Sequence, residues 1–290
     1  MKQWLIDTGT VMHGVFGDPV KHSKSPAMHN RAFRELGLNA AYAAFHVTPD
    51  RLKAAVEGIR ALGFRGVNVT IPHKLDVMNY LDEIEESAQA IGAVNTIVND
   101  NGKLTGYNTD GIGYVRSLKE EAGFDVKGKK VLMLGAGGAA RGVAYALAKE
   151  GAAAVYIANR TEAKAVELAD MIGSMTASAG IAYGQLKEVQ DQVDLVVHNT
   201  SVGMHPNVDE VLIDTSWFHE GLTVSDLIYN PPVTRLLREA QARGAKTHGG
   251  LGMFIYQGVY AFEYWTSLPA PVDAMREAVL EAFRSEAGSS

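Results

Sequence analysis

The feature that most constrains this chain is a glycine-rich turn between a short apolar run and a helical pattern. Residues 131–134 form a continuous apolar run, which is typical of a parallel strand covered on both faces. Gly135, Gly137 and Ala140 then match the pattern G-x-G-x-x-[GA]. In that pattern the small residues permit a tight turn, let the backbone approach a pyrophosphate, and let the helix pack on the strand. Because a chain with 30 glycines can match it by chance, the flanking sequence has to decide.

The flanking sequence supports a strand–turn–helix–strand unit. A helical stretch over residues 142–150 ends at Gly151, and residues 153–158 predict a second buried strand. A helix N-terminus presents unpaired N–H groups, so phosphates are favoured at the turn. We therefore predict a Rossmann-type, doubly wound domain that binds a dinucleotide. Its expected contacts at the turn are Gly135, Ala136, Gly137, Gly138 and Ala139.

The end of the second strand predicts which dinucleotide is bound. An acidic residue there usually binds the ribose 2′-OH of NAD, whereas this chain has Asn159, Arg160 and Thr161, followed by Lys164. The planar guanidinium of Arg160 can bind a 2′-phosphate through two parallel N–H···O bonds, and the ammonium of Lys164 can contribute a compact positive charge. Asn159 and Thr161 would add neutral donors. We therefore expect NADP; the alternative is that Thr161 only caps a helix and that Arg160 is solvated.

Composition limits the class of function. The length of 290 residues indicates about two domains, and a net charge of -6 without a dense Lys/Arg run argues against a nucleic-acid partner. The absence of cysteine excludes disulfides and thiolate chemistry, and no H-E-x-x-H or G-x-S-x-G motif occurs, so we expect no metal.

The N-terminal stretch reaches Asp7 before any long apolar run, and no run approaches the length of a membrane span. We expect a cytoplasmic protein with a small-molecule substrate and no membrane partner; the oligomeric state, a homodimer included, stays open.

The N-terminal part alternates predicted strands and helices and should form an α/β sheet of its own. In its third strand, Val67, Val69 and Ile71 should face a core, while Asn68 and Thr70 share the other face. The predicted strands cover residues 13–17, 42–47 and 66–71, and the predicted helices cover 25–36 and 49–62.

Two serines precede or begin the first of these helices. Ser25 is a favoured N-cap, and Pro26 suits the first helical position. Capping alone would explain Ser25. A hydroxyl that accepts from a helix N–H can still donate outward, however, so Ser23, Ser25 and the helix terminus together would suit a carboxylate.

Three further polar residues draw attention for local reasons. Lys74 is predicted at the start of a helix, where the helix dipole disfavours a cation. Asn95 is predicted in mid-strand, within a hairpin over residues 93–107. Asp110 precedes a helix over residues 112–121 and is explained equally well as an N-cap. A solvated lysine is likewise the simpler explanation of Lys74, so local sequence leaves these roles open.

Two more strands, over residues 193–197 and 222–228, should continue the nucleotide sheet, with their C-terminal ends at the ligand crevice. Thr200, Leu227 and Tyr229 would then lie near the cofactor and the mouth of the substrate site. A helix over 251–265 carries Gln257, and a last helix covers 271–287. We predict a substrate-binding domain from 1–111 and 249–290, to which these helices return, and an NADP-binding domain from 112–248.

A series of motifs spans nearly the whole chain. The N-terminal part contains H-S-x-S-P at 22–26, N-V-T-x-P-x-K at 68–74, G-A-V-N-T at 92–96 and G-x-N-T-D-x-x-G at 106–113. The remainder contains G-A-G-G-A at 135–139, N-R-T at 159–161, D-x-x-Y-N-P at 226–231 and G-x-G-M-x-x-x-Q at 250–257. In these motifs the chain resembles the shikimate/quinate dehydrogenase family. It departs from the family at His73, often an aromatic residue, and at 198–201, where N-A-T-x is more usual.

The resemblance implies roles for individual residues. Ser23 and Ser25 would bind a carboxylate, and Lys74 with Asp110 would act on the reacting hydroxyl as the catalytic pair. Further substrate contacts would come from Thr70, Asn95, Tyr229 and Gln257, and further cofactor contacts from Thr200, Leu227 and Gly250.

The implied reaction is the NADP-dependent, reversible reduction of 3-dehydroshikimate to shikimate, a step of the shikimate pathway toward chorismate and the aromatic amino acids. A dual shikimate/quinate dehydrogenase is the nearest alternative. A non-catalytic NADPH-sensing protein is an alternative of another class, and it would be expected to have lost Lys74 or Asp110, which are both present.

Overall fold

The computed structural model describes residues 6 to 287. Residues 1–5, part of the N-terminal stretch used above to infer the location, lie outside this range. The chain divides into two compact units: one comprises the part up to Thr109 together with the part from Gln257 onward, and the other is Asp110–Tyr256.

The first unit is built on a mixed six-stranded sheet. The strands are β1 (Val11–Gly17), β2 (Ala40–His46), β3 (Gly66–Val69), β4 (Glu83–Ile84), β5 (Thr96–Asp100) and β6 (Lys103–Tyr107). Two parallel pairings place β1 between β2 and β3, and antiparallel pairings join β3 to β5 and β5 to β6. The strand order is β2-β1-β3-β5-β6-β4, with β4 parallel to β6.

Helices cover this sheet, and the C-terminal part of the chain supplies some of the packing. Trp265 donates its ring N–H to the carbonyl of Ile97 at 2.9 Å. The indole lies so close to Gly66 that a Cβ there would come within 1.9 Å of it. The helices are α1 (Ser25–Glu35), α2 (Leu52–Ala61), α3 (Glu86–Ile91), α8 (Leu251–Thr266), which crosses the boundary between the units, and α9 (Val272–Ala287), which packs on α1.

Two expectations about the segment after β3 are wrong. The strand ends at Val69, and Ile71 is 64% exposed instead of facing the core. No α-helix follows Pro72, because the chain forms turns and a short 3-10 helix over Asp76–Tyr80. Lys74 therefore lies in a turn, where the helix-dipole argument does not apply.

Other element boundaries also shift. Lys24 is the N-cap of α1, so Ser25 is its first residue and makes no side-chain cap bond. Strand β5 begins at Thr96, which places Asn95 just before the strand. Helix α4 (Asp110–Ala122) begins at Asp110 itself, before the predicted residue 112. Each shift is of a few residues, the range within which local propensity leaves element ends undecided.

The second unit contains a fully parallel six-stranded sheet. Its strands are β7 (Lys130–Leu134), β8 (Ala154–Ala158), β9 (Ala177–Ile181), β10 (Leu195–His198), β11 (Thr223–Asp226) and β12 (Lys246–His248). The order β9-β8-β7-β10-β11-β12 is the doubly wound order of a Rossmann fold, and the predicted fold class is confirmed. The sequence pattern does not predict the short outer strands β9 and β12.

The central strand of this sheet explains the strongest sequence signal. Residues 131–134 are all 0% exposed. Val131 and Met133 belong to the apolar cluster on one face, and Leu132 and Leu134 belong to the cluster on the other. The helices of the unit, with α4, are α5 (Gly138–Lys149), which begins earlier than predicted, α6 (Glu162–Ile172) and α7 (Arg235–Ala242). Within residues 6 to 287, no helix is both long and apolar enough to span a bilayer.

Candidate active site

The first glycine of the turn is required by backbone and packing together. Gly135 has φ +103°, a conformation that favours glycine, and its N–H donates to the Ala158 carbonyl at 2.8 Å. A Cβ at this position would come within 2.8 Å of the Thr200 methyl carbon and 3.0 Å of the Asn199 carbonyl oxygen. Thr200 therefore packs directly against the turn.

The next two glycines are not required by the protein itself. A Cβ on Gly137 or Gly138 would meet no atom of the chain within 4 Å, and neither residue has a positive φ. Gly137 is the N-cap of α5 and provides no side-chain cap for its first N–H groups. Bare backbone facing open space at a helix N-terminus fits the pyrophosphate of a dinucleotide.

The segment after β8 presents cations to solvent. Arg160, Thr161 and Lys164 are exposed, and neither cation forms an ion pair with a carboxylate of the described residues. Thr161 occupies the N-cap position of α6, yet its hydroxyl makes no cap bond. Asn159 donates to the Thr161 carbonyl at 2.9 Å, which shapes the turn. This donor set suits a phosphate.

The ends of β10 and β11 carry the other expected cofactor contacts. Gly250 approaches Leu227 so closely that a Cβ would lie 2.1 Å from the Leu227 carbonyl oxygen, and its N–H donates to the Ile228 carbonyl at 3.2 Å. Tyr229 follows, with its ring 5.0 Å from that of Phe254. Burial raises the pKa of Tyr229, so its phenol stays protonated at neutral pH.

In the first unit, the serine segment is joined to a buried polar chain. The Ser23 hydroxyl accepts from the Ser25 N–H at 3.3 Å. Tyr42 donates to the Asn68 side-chain oxygen at 2.7 Å, and Ser25 is hydrogen-bonded to Tyr42, whose pKa burial raises well above its usual value. Sequence reasoning missed Tyr42, because its pattern indicated only a strand residue.

The chain continues from Asn68 to Asn95. The amide of Asn68 donates to the Thr96 hydroxyl at 3.0 Å, and that hydroxyl donates to the Asn95 side-chain oxygen at 3.0 Å. The Asn95 oxygen also accepts from the Thr109 N–H at 2.9 Å, and the Asn95 amide donates to the Thr109 hydroxyl at 3.0 Å. Asn95 therefore holds the residue that immediately precedes Asp110. Asp110 is itself 5% exposed.

Thr70 and Lys74 lie on the segment that follows β3. The Thr70 N–H donates to the Phe16 carbonyl at 2.9 Å, and a Cβ on Gly17 would come within 2.4 Å of the Thr70 methyl carbon. The Lys74 carbonyl accepts from the Val94 N–H at 2.8 Å, so the backbones at 74 and 95 are held near each other.

The remaining expected contact and one departure from the family pattern also lie in the first unit. Gln257 is partly buried on α8. His73 is buried beside Lys74 in the chain, with its Nε2 2.6 Å from the Val47 carbonyl oxygen, to which it donates. The described residues contain no cluster of three or more acidic or histidine side chains that could hold a metal.

Three family models match successive parts of the chain. Residues 15–97 match the shikimate dehydrogenase substrate binding domain, and residues 117–216 match shikimate / quinate 5-dehydrogenase. Residues 250–280 match the shikimate 5'-dehydrogenase C-terminal domain.

Individual proteins match over almost their full lengths. The chain is 51% identical to shikimate dehydrogenase (NADP(+)) of Methanopyrus kandleri, covering 96% of this chain and 98% of that protein. It is 54% identical to the protein of the same name from Desulforamulus reducens, over 93% and 95% of the two chains. The solved structure of shikimate 5-dehydrogenase from Thermus thermophilus in complex with NADP(H) and shikimate is 39% identical, with a TM-score of 0.85 and coverage of 94% and 99%.

Proposed function

Because this chain belongs to the shikimate/quinate dehydrogenase family, we propose that it catalyses the NADP-dependent, reversible reduction of 3-dehydroshikimate to shikimate. The observation that carries the proposal is that the similarity to these dehydrogenases extends over nearly the whole chain. Relatives named for this NADP-dependent activity are about half identical to it over more than nine-tenths of its length, and each motif residue with a chemical role is present.

The second unit would hold NADP. Its turn leaves open space at Gly137 and Gly138, and Arg160 and Lys164 provide cations where a 2′-phosphate would bind. The bound cofactor would supply or accept the hydride, and the protein has to orient the partners and manage one proton.

The first unit would hold the acid substrate. Ser23 and Ser25 suit its carboxylate, because their two hydroxyls lie at the start of α1, where the helix dipole favours an anion. Asn95 and Thr70 are fixed by backbone hydrogen bonds and would orient ring hydroxyls. Preorganised donors of this kind reduce the entropy cost of reaching the reactive geometry. The contacts assigned to Tyr229 and Gln257 stay predictions.

Lys74 is proposed as the acid/base. In the reductive direction its ammonium would donate a proton to the carbonyl oxygen, and in the oxidative direction its amine would take the hydroxyl proton. Asp110 would hold the lysine or share the hydroxyl. Its position is fixed through Thr109, which Asn95 binds at both the backbone and the hydroxyl.

Steady-state assays test the proposal directly. Purified protein should oxidise NADPH only when 3-dehydroshikimate is added, and it should reduce NADP when shikimate is added. No turnover in either direction, with NADPH binding intact, would favour the sensing protein instead. The cytoplasmic location and the absence of a nucleic-acid partner remain predictions.

A dual specificity for shikimate and quinate is the second candidate. It is favoured by the family model over residues 117–216, whose description names both acids. Quinate carries an additional ring hydroxyl, and a buried site that cannot pair that hydroxyl would discriminate against it. The ratio of kcat/KM for the two acids separates the candidates.

A further inference from the structure

A buried histidine–aspartate pair lies beside the glycine turn. His198 is the last residue of β10 and Asp226 the last of β11, and the two residues are direct partners in the parallel register. Their side chains are 2% and 0% exposed, and His198 Nδ1 lies 2.9 Å from the Asp226 carboxylate. On its other side His198 is in register with Leu134, the residue before Gly135. His198 is also a point at which the chain departs from the family motif.

The hydrogen-bond partners of Asp226 determine where the proton of His198 resides. The Ile228 N–H donates to one carboxylate oxygen at 3.0 Å, and the Thr234 hydroxyl donates to the other at 2.7 Å. A carboxylate that receives these donors acts as an acceptor toward the imidazole as well. His198 therefore carries a proton on Nδ1, and neutral His198 has a lone pair on Nε2.

That lone pair fixes the hydroxyl of Thr200. His198 Nε2 lies 2.6 Å from Thr200 Oγ1, and with the imidazole in this neutral tautomer the hydroxyl donates to the ring. The same oxygen accepts from the Val202 N–H at 3.2 Å. A hydroxyl has one proton and two acceptor positions, which leaves one acceptor position unused in these bonds. Thr200 lies against Gly135, half-buried at the dinucleotide turn.

We propose that His198, oriented by Asp226, is a positioning residue that holds the Thr200 hydroxyl as a hydrogen-bond acceptor for a donor group of the nicotinamide nucleoside. The proposal rests on the proposed function, since it assumes that NADP is the cofactor. Phosphate oxygens at neutral pH have no proton to donate, whereas the ribose hydroxyls and the carboxamide amine do. An acceptor at this position therefore favours the nucleoside over the pyrophosphate.

Binding without turnover tests the proposal. Calorimetric titrations would compare NADP⁺ with adenosine 2′,5′-bisphosphate, which keeps the adenosine and the 2′-phosphate but lacks the nicotinamide nucleoside. The variants are Thr200→Val, which removes the hydroxyl at nearly constant shape, and Thr200→Ser, which keeps it. A third variant, His198→Asn, retains an N–H for Asp226 but lacks the ring nitrogen that accepts from Thr200.

Thr200→Val should weaken NADP⁺ binding by about tenfold, and His198→Asn by about three- to tenfold, the range expected for one hydrogen bond. Binding of the bisphosphate should stay within about twofold, and Thr200→Ser should retain wild-type affinity. The double variant His198→Asn/Thr200→Val should be no weaker than Thr200→Val alone, because the histidine acts through the hydroxyl.

Other outcomes overturn the proposal. Equal losses for both ligands would indicate general damage to the turn, and unchanged NADP⁺ affinity would mean that the hydroxyl makes no useful contact. If the losses in NADP⁺ affinity of the two single variants multiply in the double variant, His198 affects binding independently of the Thr200 hydroxyl. A wild-type protein that fails to bind NADP⁺ would overturn the proposed function as well, whereas an intact wild type with insensitive variants overturns only this proposal.

One further ligand identifies the donor group. The 3-acetylpyridine analogue of NADP⁺ replaces the carboxamide amine by a methyl group and keeps the ribose. If Thr200→Val weakens the binding of NADP⁺ but not that of the analogue, the carboxamide NH₂ group is the donor. If it weakens the binding of both equally, the donor is a ribose hydroxyl.

Discussion

At the scale of single residues, the roles of charged side chains depend on what holds their backbones. Lys74 lies in a turn whose carbonyl accepts from Val94, the residue before Asn95. Asp110 is buried next to Thr109, which Asn95 binds twice. Val94 thus holds the backbone at Lys74, and the adjacent Asn95 holds the residue before Asp110. The proton-handling role of Lys74 stays a prediction.

The first prediction concerns Lys74→Met, which keeps the apolar stem but cannot transfer a proton. We expect kcat to fall by about 10²–10⁴, the range for a positioned acid/base, with a much smaller change in shikimate affinity. Turnover at saturating substrate and calorimetric binding of shikimate would be measured together. Lys53→Met, on the exposed side of α2, is the control for loss of a lysine. A near-normal kcat for Lys74→Met would rule the lysine out.

The second prediction concerns cofactor choice. Arg160→Ala should raise the KM for NADP by about tenfold or more, because a charge-assisted contact to phosphate contributes about 1.5–3 kcal/mol. The KM for NAD, which lacks the 2′-phosphate, should hardly change and is the internal control. If both cofactors lost affinity equally, Arg160 would not be a 2′-phosphate ligand.

At the scale of elements, three helix starts that look alike in sequence differ in structure. The sequence pattern predicts caps at Ser25 and Thr161, yet neither side chain makes a cap bond. Thr234, at the start of α7, accepts from the Leu237 N–H and also donates to Asp226. The prediction that Ser25 caps α1 is therefore wrong, and a Ser25→Ala variant would lose no cap. Any cost would come from the hydrogen bond to Tyr42.

The third prediction uses two of these positions as a matched pair. Thr234→Ala should lower the free energy of unfolding by about 2 kcal/mol, because it removes a cap and one donor to a buried carboxylate. Thr161→Ala, an exposed N-cap position without a cap bond, should change it by less than about 0.5 kcal/mol. Urea unfolding without cofactor gives both values. Equal costs at the two positions would contradict the distinction.

At the scale of the whole molecule, buried ionisable groups determine how stability depends on pH. His13 and His29 are 2% and 0% exposed, and none of their ring nitrogens has a hydrogen-bond partner within the described part of the chain. Burial lowers the pKa of His13 from 6.5 to about 4 and that of His29 from 6.5 to about 3. Both rings pack against Trp265, which the C-terminal part of the chain supplies to the first unit.

The fourth prediction follows from the sign of these pKa shifts. Below pH 6.5, down to about 4 for His13 and about 3 for His29, the unfolded chain binds protons that the folded chain does not, so stability present above pH 6.5 is lost as the pH falls. Each histidine should cost up to about 2 kcal/mol by pH ~5. His29→Phe keeps a ring on Tyr42 but cannot titrate, so it should flatten the decline. Urea unfolding at several pH values measures this, and an unchanged slope would contradict it.

The sequence by itself determined the elements whose signals are local. The apolar run at 131–134 and the glycines after it predict a strand and a dinucleotide turn, because full burial and close ligand approach each admit few residue types. The parallel nucleotide sheet, the alternation in the N-terminal part and the long helix that carries Gln257 follow from the same periodic patterns. The family motifs supplied the candidate site residues.

Only the tertiary structure decided features that depend on partners distant in sequence. Whether Ile71 is buried, whether Ser25 caps a helix, and whether Lys74 lies in a helix all depended on contacts beyond the reach of a short pattern. The link from Tyr42 to Asn68 crosses from one strand to another, and the link from Asp226 through His198 to Thr200 crosses neighbouring strands of the second sheet. A hydrogen bond between side chains of two strands does not change the hydrophobic pattern of either strand. The sequence therefore contains these residues but does not indicate their hydrogen-bond partners.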